Sequence, residues 1–367
     1  MCGQLLCVGF QGTTAPAELL GRIARSEVGT VILFRPNVQD PAQLGALVAA
    51  LRAAAPPELP LVVAVDQEGG LVQRVRAPAT EWPAMMTVAA AGDAQVSRAV
   101  GRALGDELRL FGIGWDFAPV LDVHTNPANP VIGNRAFGVT PAEVVTHALA
   151  FWEGLRASGV QGCGKHFPGH GDTLLDSHHD LPQLRHDEAR LRAVELVPFV
   201  AAIAAGAEAL MTAHVVYPAF DAALPATLSR RIATDLLRGE LGWGGLLVSD
   251  DLGMRAVADR WPVDEIVTQG LLAGLDHFIL RGPEDRQRAA WEALVRAAEA
   301  DAGVRARVEQ SCARVLAFKA KAAVPWPLPA DELARALPVP AHQALAARLG
   351  SAGAAAATAA ASPVAGD

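Results

Sequence analysis

Short apolar or β-branched segments recur eight times along this chain of 367 residues, and helix-like or polar loop sequence follows each of them. The segments cover residues 5–10, 30–34, 61–65, 113–121, 160–164, 209–213, 245–248 and 277–280. Apolar residues at helical spacing predict helices over 41–54, 94–111, 141–158, 187–205, 231–241 and 284–300. This alternation favours an α/β fold with parallel strands, and eight strands are the number that closes a barrel. We therefore expect a single (β/α)8 barrel of the TIM type.

Polar residues stand at or just after the ends of these segments. They are Arg35, Asp66, Asp122 or His124, Lys165 with His166, His214, Asp250 and Arg281. In a (β/α)8 barrel all these ends meet at one face, where barrel enzymes keep their active sites. The alternative is an open doubly wound sheet, but no Gly-x-Gly-x-x-Gly motif opens a helix after the first segment. The barrel is favoured.

The stretch from Lys165 to Pro182 has the highest density of titratable side chains. Its 18 residues include one lysine, four histidines and three aspartates, whereas the whole chain has 10 histidines. Prolines and glycines within it disfavour regular structure. We interpret the stretch as a polar loop that leaves the end of a strand, which is where catalytic residues are often found.

The composition narrows the class of protein. A formal net charge of -8 argues against binding to nucleic acid or to an anionic membrane surface. No run of 18 strongly apolar residues is present to span a membrane. The amino terminus has no basic start and too short an apolar run for a signal peptide. The four cysteines have no metal-type spacing, which predicts reduced thiols in a cytoplasmic protein.

The chain is expected to have one catalytic unit. With 51% hydrophobic residues it can bury a large core, and we assign the barrel to residues 1–323. The pattern of alternating strands and helices weakens after residue 323. Helices are predicted over 331–337 and 342–349 in a carboxyl-terminal extension, 324–350. Residues 351–367 are rich in alanine and are predicted to be a disordered tail.

Four motifs, in a fixed order, connect the chain to a known family. They are Val-Asp-Gln-Glu-Gly-Gly (65–70), Lys-His-Phe-Pro-Gly-His-Gly-Asp-Thr (165–173), Asp-Ser-His (176–178) and Ser-Asp-Asp-Leu-Gly-Met (249–254). Over roughly Gly29 to Gly282, the chain resembles the bacterial β-N-acetylhexosaminidases of glycoside hydrolase family 3. The resemblance implies a TIM-barrel enzyme that removes terminal N-acetylglucosamine from cell-wall fragments. It also implies a cytoplasmic role in recycling peptidoglycan, with a small oligosaccharide or muropeptide as substrate and no metal or cofactor. We expect a monomer.

The resemblance also assigns roles to single residues. Asp250 matches the family's nucleophile, and His178, paired with Asp176, matches its acid/base. The residues that match contacts to the sugar hydroxyls are Asp66, Arg74, Arg135, Lys165 and His166. The chain departs from the family at Ala136, where a serine is expected, and at Asp276-His277-Phe278, which is bulkier than expected.

The chemistry of glycoside cleavage is compatible with these roles. A carboxylate must reach the anomeric carbon from one face while an acid protonates the leaving oxygen from the other. A histidine with a pKa near its usual ~6.5 can donate and then accept a proton near neutrality, and an adjacent aspartate orients it and favours its charged form. With these roles, the resemblance implies a retaining double displacement.

Other readings remain open from the sequence. Asp250 or Asp251 could cap the following helix, His179 could replace His178, and His170, Asp172 and His214 could be supporting groups. A phosphorylase of the same fold would use the same residues but would resolve the glycosyl-enzyme with phosphate. The remaining alternatives are a non-catalytic sugar-binding protein and a metal-dependent barrel hydrolase, whose possible ligands are His166, His170, Asp172, Asp176 and His178.

Overall fold

The computed structural model describes residues 1–174 and 181–361, with side chains as far as Ser351 at the carboxyl end. Ten β-strands lie in these ranges: β1 (Leu6–Val8), β2 (Thr30–Leu33), β3 (Val62–Val65), β4 (Trp115–Asp116), β5 (Gly164–Phe167), β6 (Ala209–Thr212), β7 (Val216–Tyr217), β8 (Asp221–Pro225), β9 (Leu246–Ser249) and β10 (Phe278–Leu280). All strands except the antiparallel pair β7 and β8 belong to the barrel.

Parallel pairing closes the barrel. One sheet has the order β10-β1-β2-β3-β4 and a second has the order β5-β6-β9. Single bridges join the two sheets on both sides, between Trp115 and Gln161 and between Val120 and Lys165 on one side and between Val248 and His277 on the other. Every residue of the eight barrel strands is buried, as expected for strands covered on both faces. The predicted (β/α)8 barrel is confirmed.

Helices surround the strands. They are α1 (Ala17–Ala24), α2 (Pro41–Ala53), α3 (Met85–Ala89), α4 (Ala94–Leu110), α5 (Pro141–Ser158), α6 (Glu188–Arg190), α7 (Val197–Ala204), α8 (Arg255–Ala258), α9 (Val263–Ala273), α10 (Glu284–Ala300), α11 (Ala302–Lys321), α12 (Ala330–Ala336) and α13 (Pro340–Ala361). Segments Leu191–Glu195 and Arg231–Glu240 are π-helical. Short 3-10 turns lie at Cys2–Leu5, Arg35–Asn37 and Gly133–Arg135. None of the described helices combines the length and the hydrophobicity of a membrane span.

Two predicted strands differ from the structure. The fifth strand was expected over 160–164, but it covers Gly164–Phe167, so Lys165 and His166 lie inside β5 and not on the loop after it. Pairing with β6 overrides the low strand propensity of this polar sequence. The fourth strand was expected over 113–121, but regular strand pairing covers only Trp115–Asp116, and Val120 adds a single bridge to Lys165.

The six helices predicted within the barrel coincide with helical segments of the structure, but other helices were missed. Helices α1, α3, α8, α9 and α11 and the hairpin β7–β8 were not predicted. In α11, Val304, Val308 and Val315 are buried and follow a helical spacing that could have revealed it.

The carboxyl-terminal extension packs on the outside of the barrel. Leu333 of α12 is buried and approaches α2 at Gly45, where an added Cβ would come within 2.9 Å of the leucine side chain. His342 of α13 hydrogen-bonds to Glu107 of α4 through Nδ1, at 2.9 Å. Helix α13 runs from Pro340 to Ala361, in a sequence rich in alanine, the residue with the highest helix propensity. The division into barrel, extension and tail stays a prediction.

The unusual Asp276-His277-Phe278 segment lies away from the carboxyl ends of the strands. Asp276 is fully buried just before β10 and contacts three arginines, Arg238 at 2.6 Å, Arg307 at 3.0 Å and Arg314 at 3.1 Å. Asp276 therefore anchors the amino-terminal end of β10 and does not line the pocket at the other end of the strand.

Candidate active site

One pocket lies at the carboxyl ends of the barrel strands and has a volume of about 180 Å³. This is below the ~300 to 1,000 Å³ that drug-sized ligands usually occupy, so the pocket suits one sugar ring better than a chain. Its charged and polar lining residues are Asp66, Glu68, Arg74, Arg135, Lys165, His166, His170, Asp250, Asp251 and Arg281. The apolar part of the lining is Ile32, Phe34, Val72, Phe117, Val131, Met211, Met254 and Ile279.

Glu68 is the centre of the pocket's ionic network. Its buried carboxylate accepts two hydrogen bonds from Arg135, through Nε and Nη2, both at 2.8 Å. The ammonium of Lys165 lies 2.5 Å from the same carboxylate. Burial by itself would raise the pKa of Glu68, but the charges of Arg135 and Lys165 outweigh it and hold the pKa well below its usual range. Glu68 therefore fixes the two cations in position.

Asp66 forms the second part of this network. Lys165 donates to its carboxylate at 2.8 Å, and Arg74 lies 3.4 Å from its other oxygen. Burial would lower the pKa of Lys165, but Asp66 and Glu68 raise it above its usual value, so this lysine is a permanent cation. Two acids and three cations thus face the same pocket, and such groups can hold a ring of hydroxyls through charge-assisted hydrogen bonds.

Local sequence explains how the loop after β3 brings these groups together. The side chain of Gln67 accepts hydrogen bonds from the backbone of Arg74 and Val75 and donates to the Val75 carbonyl, which folds the loop back on itself. Gly69 has a φ of 101°, and a Cβ there would come within 2.5 Å of Met85. This position therefore requires glycine, and the turn that it makes places Glu68 and Arg74 on the same side.

Asn129 organises the loop that carries Arg135. Its side-chain oxygen accepts hydrogen bonds from the backbone of Val131 and Ile132, at 2.9 and 2.8 Å. Its amide group donates to the carbonyl of His170, at 2.9 Å. The buried Asn129 thereby ties the arginine loop to the segment after β5.

His166 is held by Asp122, a fully buried residue after β4. The ring Nδ1 lies 2.7 Å from Oδ2 of Asp122, and an ionised carboxylate only accepts, so Nδ1 carries the proton. Asp122 Oδ1 also accepts the backbone N–H groups of His166 and His170. Burial opposes ionisation of Asp122, but the opposing charge of His166 and these donors leave its pKa below the usual value.

His170 is a supporting residue in the same segment. It is buried, and its Nδ1 lies 2.7 Å from the hydroxyl of Thr173. Burial, followed by the neighbouring charge of His166, lowers the pKa of His170 to about 4. The ring is therefore neutral at neutral pH and is poorly suited to donate a proton there.

Asp250 follows β9 and faces the pocket. Its Oδ1 accepts the backbone N–H of Asp251 at 2.7 Å. Burial would raise the pKa of Asp250, but the positive fields of His166 and His214 lower it below its usual value. His214 is buried nearby, with Nε2 3.0 Å from the backbone oxygen of Asp251. Asp250 is thus a carboxylate at neutral pH, as a nucleophile must be.

The neighbouring Asp251 has a different environment. Its Oδ1 accepts the backbone N–H groups of Gly253 and Arg281, both at 2.9 Å. Burial is the main reason why its pKa rises to about 6. The pair of acids therefore separates into one that is fully ionised and one that titrates near neutrality.

The structure brings six of the eight predicted site residues to one pocket. Asp66, Arg74, Arg135, Lys165, His166 and Asp250 all line it. Asp176 and His178, the proposed acid/base pair, lie outside the described residues. Their roles stay predictions.

Sequence reasoning did not assign roles to several residues of the site. Glu68 stands in the Asp-Gln-Glu-Gly-Gly motif, and an acid next to paired glycines was a usable signal. Asp122 was noted at a strand end without a function. Phe34 carries no sequence signal, although it lines the pocket beneath two guanidinium groups, with Arg281 4.6 Å and Arg74 5.8 Å from its ring centroid.

Among the described residues, one group of three side chains lies close enough together to hold a metal ion. Asp172, His186 and Glu195 bring one ligand atom each within 4.8 Å of one another. However, Arg190 lies 3.7 Å from Asp172 and 3.0 Å from Glu195, so a cationic side chain already compensates these acids. The group also lies outside the pocket lining.

The sequence is similar to known proteins over most of its length. Residues 2–318 match the family described as the glycosyl hydrolase family 3 N terminal domain. A beta-hexosaminidase of Alkalilimnicola ehrlichii is 41% identical over 281 residues, which cover 75% of this chain and 80% of that protein. The beta-hexosaminidase A of Pseudoalteromonas piscicida is 42% identical over 285 residues, which cover 72% of this chain. The match spans only 47% of that longer relative.

Solved structures show the same relationship. A glycoside hydrolase family 3 beta-N-acetylglucosaminidase from a Paenibacillus species superposes with a TM-score of 0.90 at 40% identity and covers 96% of this chain and 68% of that one. NagZ from Neisseria gonorrhoeae, in complex with N-trifluoroacetyl-D-glucosamine, has a TM-score of 0.76 at 30% identity and covers 95% of this chain and 98% of that one.

Proposed function

The chain belongs to glycosyl hydrolase family 3 and is a glycoside hydrolase with beta-hexosaminidase relatives, and we propose that it is a retaining β-N-acetylhexosaminidase. Its substrates are cell-wall fragments of the anhydromuropeptide type, from which it removes terminal, non-reducing N-acetylglucosamine. One observation carries the proposal: the ionised Asp250 and the proposed sugar-binding residues Asp66, Arg74, Arg135 and Lys165 line one small pocket.

In this proposal the fixed charges bind the sugar. The ion pairs among Asp66, Glu68, Arg135 and Lys165 hold their oxygen and nitrogen atoms in fixed positions, where they can bind hydroxyl groups. Binding then costs little reorganisation of the protein. A pocket for one ring matches an enzyme that acts at the end of a glycan.

The proposed chemistry is a double displacement. Asp250 attacks the anomeric carbon and forms a covalent glycosyl-enzyme, while His178, oriented by Asp176, protonates the leaving oxygen. The same histidine then removes a proton from the water that releases the sugar. The acid/base assignment rests on the Asp-Ser-His motif and the family resemblance.

The test is mutational. Asp250→Asn should lower kcat by several orders of magnitude because an amide is a poor nucleophile, while Asp235→Asn, at a side chain that is 58% exposed, should leave kcat unchanged. His178→Ala should slow substrates with poor leaving groups far more than activated aryl glycosides, because only the former need an acid. Equal losses on both substrate types would contradict the acid role.

Two alternative functions can be distinguished from the proposed one, the first by its product and the second by its need for a metal ion. A phosphorylase would use the same nucleophile but would release sugar 1-phosphate, and an uncharged histidine acid/base repels phosphate less than a carboxylate does. Product analysis in phosphate and phosphate-free buffers distinguishes it. A metal-dependent hydrolase would lose activity to a chelator, whereas the proposed mechanism predicts no loss.

A further inference from the structure

Arg281 follows β10, and its exposed side chain lines the pocket without an ion pair among the described residues. The other three cations of the pocket lining, Arg74, Arg135 and Lys165, each form an ion pair with Asp66 or Glu68. The guanidinium of Arg281 has no carboxylate within ion-pair distance and donates no hydrogen bond among the described residues. Its planar donor groups are therefore available to a ligand.

The position of this guanidinium is nevertheless fixed. It stacks on the ring of Phe34, with its central carbon 4.6 Å from the ring centroid. Stacking restrains the cation without using its N–H groups. The backbone N–H of Arg281 is tied to Oδ1 of Asp251 at 2.9 Å, which anchors the base of the side chain. Gly9 allows this packing, since a Cβ there would come within 2.9 Å of the Phe34 ring.

Two charged groups lie beside this cation. Arg74 also faces Phe34, at 5.8 Å, but shares its charge with Asp66. Asp251 attracts Arg281 electrostatically, while its Oδ1 is occupied by two backbone N–H groups. Of the two guanidinium groups that face Phe34, that of Arg281 is therefore the one without an ion pair among the described residues.

We propose that Arg281 is a specificity-determining residue that binds a carboxylate on the leaving group of the substrate. This inference rests on the proposed function. An enzyme that removes a terminal sugar places one ring in the pocket, so the rest of the substrate is the leaving group, and an exposed cation at the pocket meets that part. A planar guanidinium with free donors matches a carboxylate through two parallel hydrogen bonds.

The test compares two disaccharides with the same linkage. One is the neutral β-1,4 dimer of N-acetylglucosamine, and the other carries a lactyl ether, and thus a carboxylate, on O3 of the reducing sugar. The wild type should cleave the charged disaccharide with a kcat/KM about fivefold to tenfold higher. In Arg281→Gln this ratio should fall close to one, and Arg281→Lys should be intermediate. High salt should reduce the ratio of the wild type, because screening weakens an exposed ion pair.

Arg296→Gln is the matched control, because Arg296 is an exposed arginine on α10 whose partner is Glu292. Its ratio should equal that of the wild type. A wild-type ratio near one, or an unchanged ratio in Arg281→Gln, would overturn the role of Arg281. If the wild type hydrolysed neither disaccharide, the proposed function would fail. Calorimetric measurement of the binding of the two disaccharides would still test the role of Arg281. Tighter binding of the charged disaccharide by the wild type, lost in Arg281→Gln, would support the role. Equal binding of the two disaccharides by the wild type would refute it.

Discussion

Glu68→Gln removes one negative charge from the centre of the pocket and changes the shape of the side chain very little. The carboxylate accepts three contacts, two from Arg135 and one from Lys165. Glutamine has one acceptor oxygen, so it can keep at most two of them, and its amide N–H groups face cations. At least one hydrogen bond to a charged group is lost, which costs about 1.5 to 3 kcal/mol.

This loss should appear in catalysis. If the energy is lost from sugar binding, kcat/KM falls by about 10- to 150-fold. Arg135 and Lys165 are proposed to hold the sugar before and during the reaction, so the change should appear mainly in KM. The assay is steady-state hydrolysis of an aryl N-acetyl-β-glucosaminide, together with thermal unfolding of the same samples.

Glu107→Gln is the matched control. Glu107 is also buried, and its carboxylate accepts hydrogen bonds from Thr80 and His342, but it lies on α4 outside the pocket. It should lower the unfolding temperature and leave kcat/KM within about twofold. If Glu68→Gln behaved in the same way, with a loss of stability and no loss of kcat/KM, Glu68 would have no part in positioning the sugar-binding cations.

Two further predictions concern neighbouring acids. Burial raises the pKa of Asp251 to about 6, so any stability that its protonated form contributes is complete below its unfolded pKa of about 3.9 and is lost as the pH rises through 6. Asp251→Asn, which keeps Oδ1 as acceptor, should therefore be more stable than the wild type at pH 8 by up to about 3 kcal/mol, and the difference should disappear near pH 4. Denaturant unfolding at both pH values measures the free energy of unfolding of each protein. A difference that does not change with pH would contradict the reasoning. Asp122→Asn keeps one oxygen for the backbone N–H groups of His166 and His170 but loses the carboxylate that accepts from His166 Nδ1. We therefore expect kcat/KM to fall by about 10- to 150-fold. A change below twofold would show that the His166 ring does not need this hydrogen bond.

The candidate site was predictable where the relevant signal is local. Asp250 and Asp66 could be located because each follows an apolar run that predicts a strand, and the family resemblance supplied their roles. Lys165 and His166 were placed at the right end of the barrel but on a loop, because their polar sequence hides a strand that only its pairing with β6 reveals.

Contacts between distant parts of the chain were not predictable in this way. Glu68 and Arg135 are 67 positions apart, and Asp66 and Lys165 are 99 positions apart. The spacing of these residues along the chain does not predict that Glu68 contacts both Arg135 and Lys165. The stacking of Arg281 on Phe34 has the same origin, since the two residues follow β10 and β2, which are far apart in the chain but lie on either side of β1 in the sheet.

The amino-acid pattern was enough to predict the alternation of strands and helices, the closed barrel and the set of polar residues at the carboxyl ends of the strands, because apolar periodicity depends on residues close together in the chain. The packing of distant segments sets which of these charges are paired, which stay ionised and which cation has no ion pair among the described residues. Those properties depend on burial and on distances of a few ångströms between separate strands, and barrel closure fixes both.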